Sequence, residues 1–269
     1  MIYEKAYAKI NLALEVMEKE NGYHKVNNLM MPINLYDEVI LEEADKVEMV
    51  DNLIEDNICI KATNLFLKEF NINKGVTIKV TKNIPISAGL AGGSSNAAAV
   101  LRGLNKLFNV NASITKLEEL ASMLGSDVPF FINTKLALCT GRGEIINPVN
   151  ISYSKIKILL IKPNTGLSTK EVYQNYKYKN ISKKENIDNI IKALENNDRQ
   201  LLIDNIFNDL GEISLSLNKE MKDIYDKLIY KNLFVSGSGP TMFIVEPTEE
   251  QINYVNKMNI DFTYLTEIL

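Results

Sequence analysis

Pro85-Ile86-Ser87-Ala88-Gly89-Leu90-Ala91-Gly92-Gly93-Ser94-Ser95-Asn96-Ala97-Ala98-Ala99 joins a strand pattern to an alanine-rich helix pattern. Glycines at such a junction let backbone N–H groups at the helix start turn toward an anion, with little side chain in the way. A phosphate suits the place. The alanines predict a helix packed closely on a sheet, and Ser94 and Ser95 are candidates to cap it or to offer hydroxyls to a phosphate or Mg²⁺. No GxxxxGK[ST] pattern occurs, so this is not a Walker A loop. A glycine-rich turn with an N-cap serine is the plainer alternative.

Working outward, Ala8, Ile10, Leu12, Leu14 and Val16 alternate as in a strand with one buried face, which sends Lys9 and Asn11 out together from the other. Further strands are expected at 37–42 and 76–81, with a helix over 60–70 between them. The alanine helix continues to Leu107. Thr115 with Glu118 has the capping-box pattern for a helix over 115–124, ended by Gly125. Strand patterns return at 137–140 and 156–161. An exposed polar loop is expected at 177–186, then helices at 187–194, 201–210 and 219–229, and a strand, loop and strand over 233–245. Strands with inserted helices indicate an α+β chain, with a boundary near residue 154 dividing it into parts 1–154 and 155–269.

The 269 residues carry 30 basic and 34 acidic side chains, and 46% are apolar. A net charge of −4 argues against a general nucleic-acid binder, which needs a surplus of Lys and Arg. Cys59 and Cys139 have no metal-ligand spacing and read as buried thiols of a reducing cytosol. No apolar run reaches the roughly 18 residues of a membrane span, and Glu4, Lys5 and Lys9 break the start where a signal peptide would be apolar. A cytoplasmic protein without membrane contact is expected.

The segment 89–95 resembles the phosphate-binding loop of the GHMP kinases. Three more segments carry the resemblance in the family's order: Ala8-Lys9-Ile10-Asn11-Leu12 with Gly22-Tyr23-His24, then Leu124 to Phe131, then Ser236-Gly237-Ser238-Gly239-Pro240-Thr241. The nearest resemblance is to the branch that phosphorylates a cytidine-diphosphate alcohol in non-mevalonate isoprenoid synthesis. It implies a two-lobed α+β fold, with an ATP-binding N-terminal lobe like domain 2 of ribosomal protein S5 and an α+β C-terminal lobe. Residues 85–95 would bind ATP, with Mg²⁺ arriving alongside it through ligands the sequence does not name beyond Ser94 and Ser95. Lys9 and Asp127 would be catalytic, the carboxylate accepting the hydroxyl proton while the ammonium offsets phosphoryl charge.

The same resemblance gives Asn11, Tyr23, His24 and Tyr173 to the substrate, the two tyrosines stacking on cytosine and His24 bonding its polar edge. From the residues alone, Lys9 reads as a solvated strand-face lysine, Asp127 as a turn carboxylate and His24 as a surface or hydrogen-bonded structural histidine, while Tyr173 reads equally as an amphipathic ring on a short helix. Arg142, in Gly141-Arg142-Gly143-Glu144, reads as an exposed hairpin charge. Where the family usually has a third glycine this chain has Ala91, whose methyl matters if its φ is positive. Other GHMP kinases, of homoserine or mevalonate type, and a silent ligand sensor are the competing functions. Gly22-Tyr23-His24 opposes the first, and retention of Lys9 and Asp127 the second. A monomer or weak homodimer is expected.

Overall fold

A computed structural model describes residues 1–20, 22–50, 57–178 and 182–269. The chain opens with two long strands, β1 (Ile2–Glu20) and β2 (Tyr23–Ala44), followed by β3 (Glu48–Met49), helix α1 (Ile58–Glu69) and β4 (Gly75–Thr81). Helices α2 (Gly92–Leu107), α3 (Ile114–Ser122) and α4 (Phe130–Asn133) precede the hairpin of β5 (Ala137–Thr140) and β6 (Ile145–Pro148). Then come β7 (Lys157–Lys162), α5 (Thr169–Asn175), α6 (Lys184–Asn196), α7 (Arg199–Asn205), β8 (Phe207–Asn208), α8 (Gly211–Leu217) and α9 (Lys219–Leu228). The chain ends with β9 (Leu233–Val235), β10 (Met242–Val245), α10 (Glu249–Lys257) and β11 (Phe262–Glu267).

Two sheets organise these elements, which is the α+β architecture expected. The first runs β3-β4-β2-β1-β8, with β5 and β6 attached beside β2; the second runs β11-β7-β10-β9. The sheets divide between β6 and β7, except at one place. Phe207 and Asn208 of β8 pair in parallel with Ala13 and Leu14 of β1, so a segment from the second half completes the first sheet. Two residues carry no period, and the sequence placed this segment inside a helix over 201–210. That helix ends at Asn205.

β1 departs from the expected one-sided strand: every residue from Ala8 to Val16 is buried. One core joins Ala6, Met30 and Val39 to helices α1 and α2 through Phe66, Ala97 and Leu101. A second joins Ile10, Leu12 and Met31 to Leu160 and Phe243 of the other sheet and to Ile190 of α6. The alternation visible in sequence follows this second core from Ala8 to Leu12, and Leu14 and Val16 continue it into a smaller cluster with Val26, Val172 and Leu210. Register shifts between Tyr7 and Ala8 and between Asn11 and Ala13 bend the strand where Lys9 and Asn11 stand. Ala97, Ala98 and Ala99 are fully buried, and their small side chains bring α2 close to the sheet, as their composition predicts.

Two local expectations fail. The N-cap of α3 is Ser113, whose hydroxyl accepts the Lys116 N–H, and not Thr115; any Ser, Thr, Asp or Asn within a turn competes for that place. The polar loop expected at 177–186 ends early, because α6 begins at Lys184, and its residues 179–181 lie outside those described. Both cysteines are free and buried, as expected. Burial pushes the Cys59 thiol up to about 12. Among the described residues, no helix is long and apolar enough to cross a membrane.

Candidate active site

Lys9 leaves β1 beneath the glycine loop and is only 4% exposed, so it is not the solvated lysine that its strand position allowed. Its ammonium donates to Asn11 Oδ1 at 2.7 Å and to the Gly89 carbonyl at 2.9 Å. Burial lowers the Lys9 pKa below that of an ordinary lysine, and the charge of Asp127 partly offsets this. Asp127, in the turn ahead of α4, lines the same cavity. Among the described residues no backbone N–H or side chain hydrogen-bonds its carboxylate, which removes the reading as a turn carboxylate.

That cavity is about 910 Å³ in volume. Its floor is the glycine loop. Ala91 takes the N-cap position of α2 in the left-handed region, at φ +56°, with no side-chain cap. The helix therefore begins at Gly92, before the alanine run, and Ser94 and Ser95 lie in its first turn and do not cap it. The Ser95 N–H bonds the Ala91 carbonyl at 3.0 Å, so only the amides ahead of it, from Gly92 to Ser94, are left without partners within the helix. An α-helix start of this kind attracts anions.

Of the eleven residues of 85–95, all but Leu90 and Ser95 line the cavity. Leu90 is fully buried in the core shared by the two sheets, and its carbonyl accepts the Lys9 N–H. Leu90 therefore anchors the loop, and its side chain is not available to a ligand. Ser95 is also buried, and its hydroxyl has no partner among the described residues.

Asn11 and Tyr173 line the cavity as expected, Tyr173 reaching it from α5, whose N-cap is Ser168. Burial raises the Tyr173 phenol pKa, so the ring stays neutral. Tyr23 and His24 stand outside the cavity wall; His24 adjoins it, because its ring lies 6.2 Å from that of the lining Tyr173, and 5.4 Å from that of Tyr176. His24 Nδ1 is 2.6 Å from the Met17 carbonyl, which can only accept, so Nδ1 holds a proton. His24 Nε2 is buried and has no partner among the described residues. Tyr23 is 62% exposed, and the Arg142 guanidinium sits 5.4 Å from its ring centre. Arg142 is the exposed charge in the β5–β6 hairpin turn that the sequence predicts, and it packs on Tyr23 and pairs with Glu144.

Sequence reading missed several lining groups. Lys82, at the end of β4, holds its ammonium against Asp37 and, at 3.2 Å, Asn96 Oδ1. The fully buried Asp37 also accepts the N–H groups of Asn83 and Ile84, pinning the entry to the glycine loop. A lysine at the end of a strand pattern, three residues ahead of Pro85, is the signal the sequence carries for it. The 236–240 loop reaches the site from the second half. Ser236 Oγ donates to the Gly89 carbonyl at 3.2 Å, and Ser238 bonds Thr169 at 2.8 Å.

Comparison with known proteins gives this geometry its context. Residues 57–135 match the GHMP kinases N terminal domain. A 4-diphosphocytidyl-2-C-methyl-D-erythritol kinase of Clostridium perfringens (strain 13 / Type A) is 43% identical over 250 residues, 89% of this chain and 86% of that protein. The chain belongs to the 4-diphosphocytidyl-2-C-methyl-D-erythritol kinase family. It is a small-molecule kinase of GHMP type. A second such kinase, from Clostridium beijerinckii, is 40% identical over 251 residues, 89% of each chain. The crystal structure of a 4-(cytidine 5'-diphospho)-2C-methyl-D-erythritol kinase superposes with a TM-score of 0.82 at 26% identity, covering 99% of both chains. A homoserine kinase from Cytophaga hutchinsonii shares the fold at a TM-score of 0.73 and 17% identity, covering 99% of this chain and 94% of its own.

Proposed function

We propose that this kinase transfers the γ-phosphoryl group of ATP to the 2-hydroxyl of 4-diphosphocytidyl-2-C-methyl-D-erythritol, with Lys9 and Asp127 at the reacting oxygen. The observation that carries the reading is that a buried ammonium and a carboxylate without a hydrogen-bond partner among the described residues share one cavity floored by a helix start. The loop 85–95 binds the ATP phosphates through the amides of that helix start, with Leu90 and Ser95 acting behind the surface. Asp127 accepts the hydroxyl proton as the oxygen bonds phosphorus and ADP departs. Lys9 orients that oxygen and offsets the charge spread over the phosphoryl group.

Mg²⁺ accompanies the nucleotide. Among the described residues no cluster of three or more His, Cys, Asp or Glu side chains forms a metal cage, which suits an ion bringing phosphate ligands with it. Ser94, which lines the cavity, is the group that would hold it, with the buried Ser95 hydroxyl one residue behind. Its chemistry is to neutralise phosphate charge.

Tyr23 and Tyr173 stack on cytosine. His24, with Nδ1 committed to Met17, offers Nε2 as an acceptor to the exocyclic amine. Asn11 contacts the alcohol. The two lobes, 1–154 and 155–269, close over the cavity through the contact of Ser236 with the Gly89 carbonyl. The enzyme works in the cytoplasm as a monomer or weak homodimer.

An assay on a panel of alcohols tests the reading, with ADP release and product mass as readouts. The cytidylyl substrate should be turned over with a mass gain of one phosphoryl group. Preference for homoserine or mevalonate would overturn it.

A further inference from the structure

Asn28 is buried on β2, directly across the sheet from β1, and it bonds neither the glycine loop nor Lys9. Its carboxamide oxygen accepts the Asn11 amide at 2.6 Å. Asn11 is 1% exposed, and its own oxygen accepts the Lys9 ammonium at 2.7 Å. The polarity of this chain of bonds runs one way only. An ammonium has donors and no acceptor, so Asn11 must show it the oxygen, and the Asn11 NH₂ must then find an acceptor inside the protein. Asn28 supplies it. The Ser236 hydroxyl, 3.4 Å from the same Asn11 oxygen, is compatible with this orientation.

We infer that Asn28 is a positioning residue, which locks the Asn11 amide with its oxygen toward Lys9 and so fixes the Lys9 ammonium over the reaction site. This rests on the placement of Lys9 in the catalytic machinery. Without Asn28, the Asn11 amide can turn its NH₂ toward Lys9, where donor would meet donor. The ammonium would be left with Gly89 as its one firm acceptor, in a site whose burial already disfavours charge. Asp127 from the turn before α4 and Cys139 on β5 face the same ammonium, while Tyr173 and Lys82 stand across the cavity. None of these can replace a neutral acceptor for the Asn11 amide.

The experiment compares Asn28→Leu, Asn28→Asp and Lys9→Met in steady-state kinetics across pH. Leu keeps the volume without an acceptor. It should lower kcat roughly 10- to 100-fold, the scale of a ~1 Å misplacement, with little change in KM for either substrate. The alkaline limb of the rate profile should move to lower pH, because the rate falls as Lys9 loses its proton and loss of its acceptor makes that easier. Asn28→Asp keeps the acceptor and adds negative charge, so it should hold kcat near the native value and move the limb above its native position. It also supplies the decisive measurement if the leucine variant does not fold, since an unshifted limb in Asn28→Asp overturns the inference. A raised KM with an unmoved limb in Asn28→Leu would make Asn28 a substrate contact and overturn it too. An active Lys9→Met enzyme would instead overturn the placement of Lys9 itself.

Discussion

Gly237 meets Lys9 across the two halves of the chain: a Cβ built on Gly237 would stand 3.2 Å from the Lys9 ammonium nitrogen and 3.4 Å from Asn11 Oδ1. Gly237 also has φ +57°, so a side chain there would be strained as well as crowded. Gly237→Ala should lower kcat about tenfold by displacing the ammonium. Gly166→Ala, with nothing within 4 Å of its Cβ, is the control and should leave kcat unchanged. Equal effects of the two in a turnover assay would dissociate the 236–240 loop from the chemistry.

Asp127→Asn keeps the shape of the side chain and removes the proton acceptor. Turnover should fall by roughly 10² or more, while ATP binding by calorimetry changes little. Near-normal turnover would take Asp127 out of its proposed role.

At Gly92 a Cβ would lie 3.0 Å from Ile84 Cγ2 and 3.3 Å from Lys82 Nζ, whereas at Gly93 nothing lies within 4 Å. Gly92→Val should therefore weaken ATP binding more than cytidylyl-substrate binding. Titrations with each ligand decide it; equal losses would indicate general damage to the fold.

Ala91 carries the strain that its sequence position raised as a question. At φ +56° a non-glycine residue costs about 1–2 kcal/mol, and the extra unfolded-state entropy of glycine gives back about 0.5–1. Ala91→Gly should leave the enzyme about 0.5–1 kcal/mol more stable in urea denaturation. A lower midpoint would mean that the methyl group contributes packing.

His24→Ala should reduce the preference, in kcat/KM, for the cytidylyl substrate over a base-free analogue by about 1–3 kcal/mol, the cost of one lost buried hydrogen bond. ADP release without acceptor should stay as it is. An unchanged ratio would mean that His24 does not read the base.

Where a residue's place depended on a short repeating pattern, the sequence disclosed it. Strand β5 begins and ends where the pattern at 137–140 puts it, and the Gly-rich junction does open a helix. The cavity gathers Lys9, Asp127 and Tyr173 from three distant segments, and their grouping was legible only through the family resemblance, because spacing along the chain does not encode it. Lys82 and Asn28 escaped for a related reason. Each contributes through a partner from elsewhere, and a lone polar residue beside a strand or turn has many uses. The burial of both faces of β1 was hidden for another reason, since alternation records the apolar contacts and is silent about polar side chains enclosed by a loop.

The short parallel pairing of β8 with β1 bears on how the protein is inherited and made. Asn208 also ties the 236–240 loop, donating to the carbonyls of Val235 at 2.9 Å and Gly237 at 2.7 Å. A polypeptide ending at residue 154 would present Ala13 and Leu14 along an open edge, and the complementary piece would carry Phe207 and Asn208 with no sheet to join. The halves are therefore not interchangeable modules. A recombination event exchanging one for that of a distant cousin would have to keep the backbone path that lays residues 207 and 208 along β1, and a ribosome must deliver residue 208 before the first sheet can close.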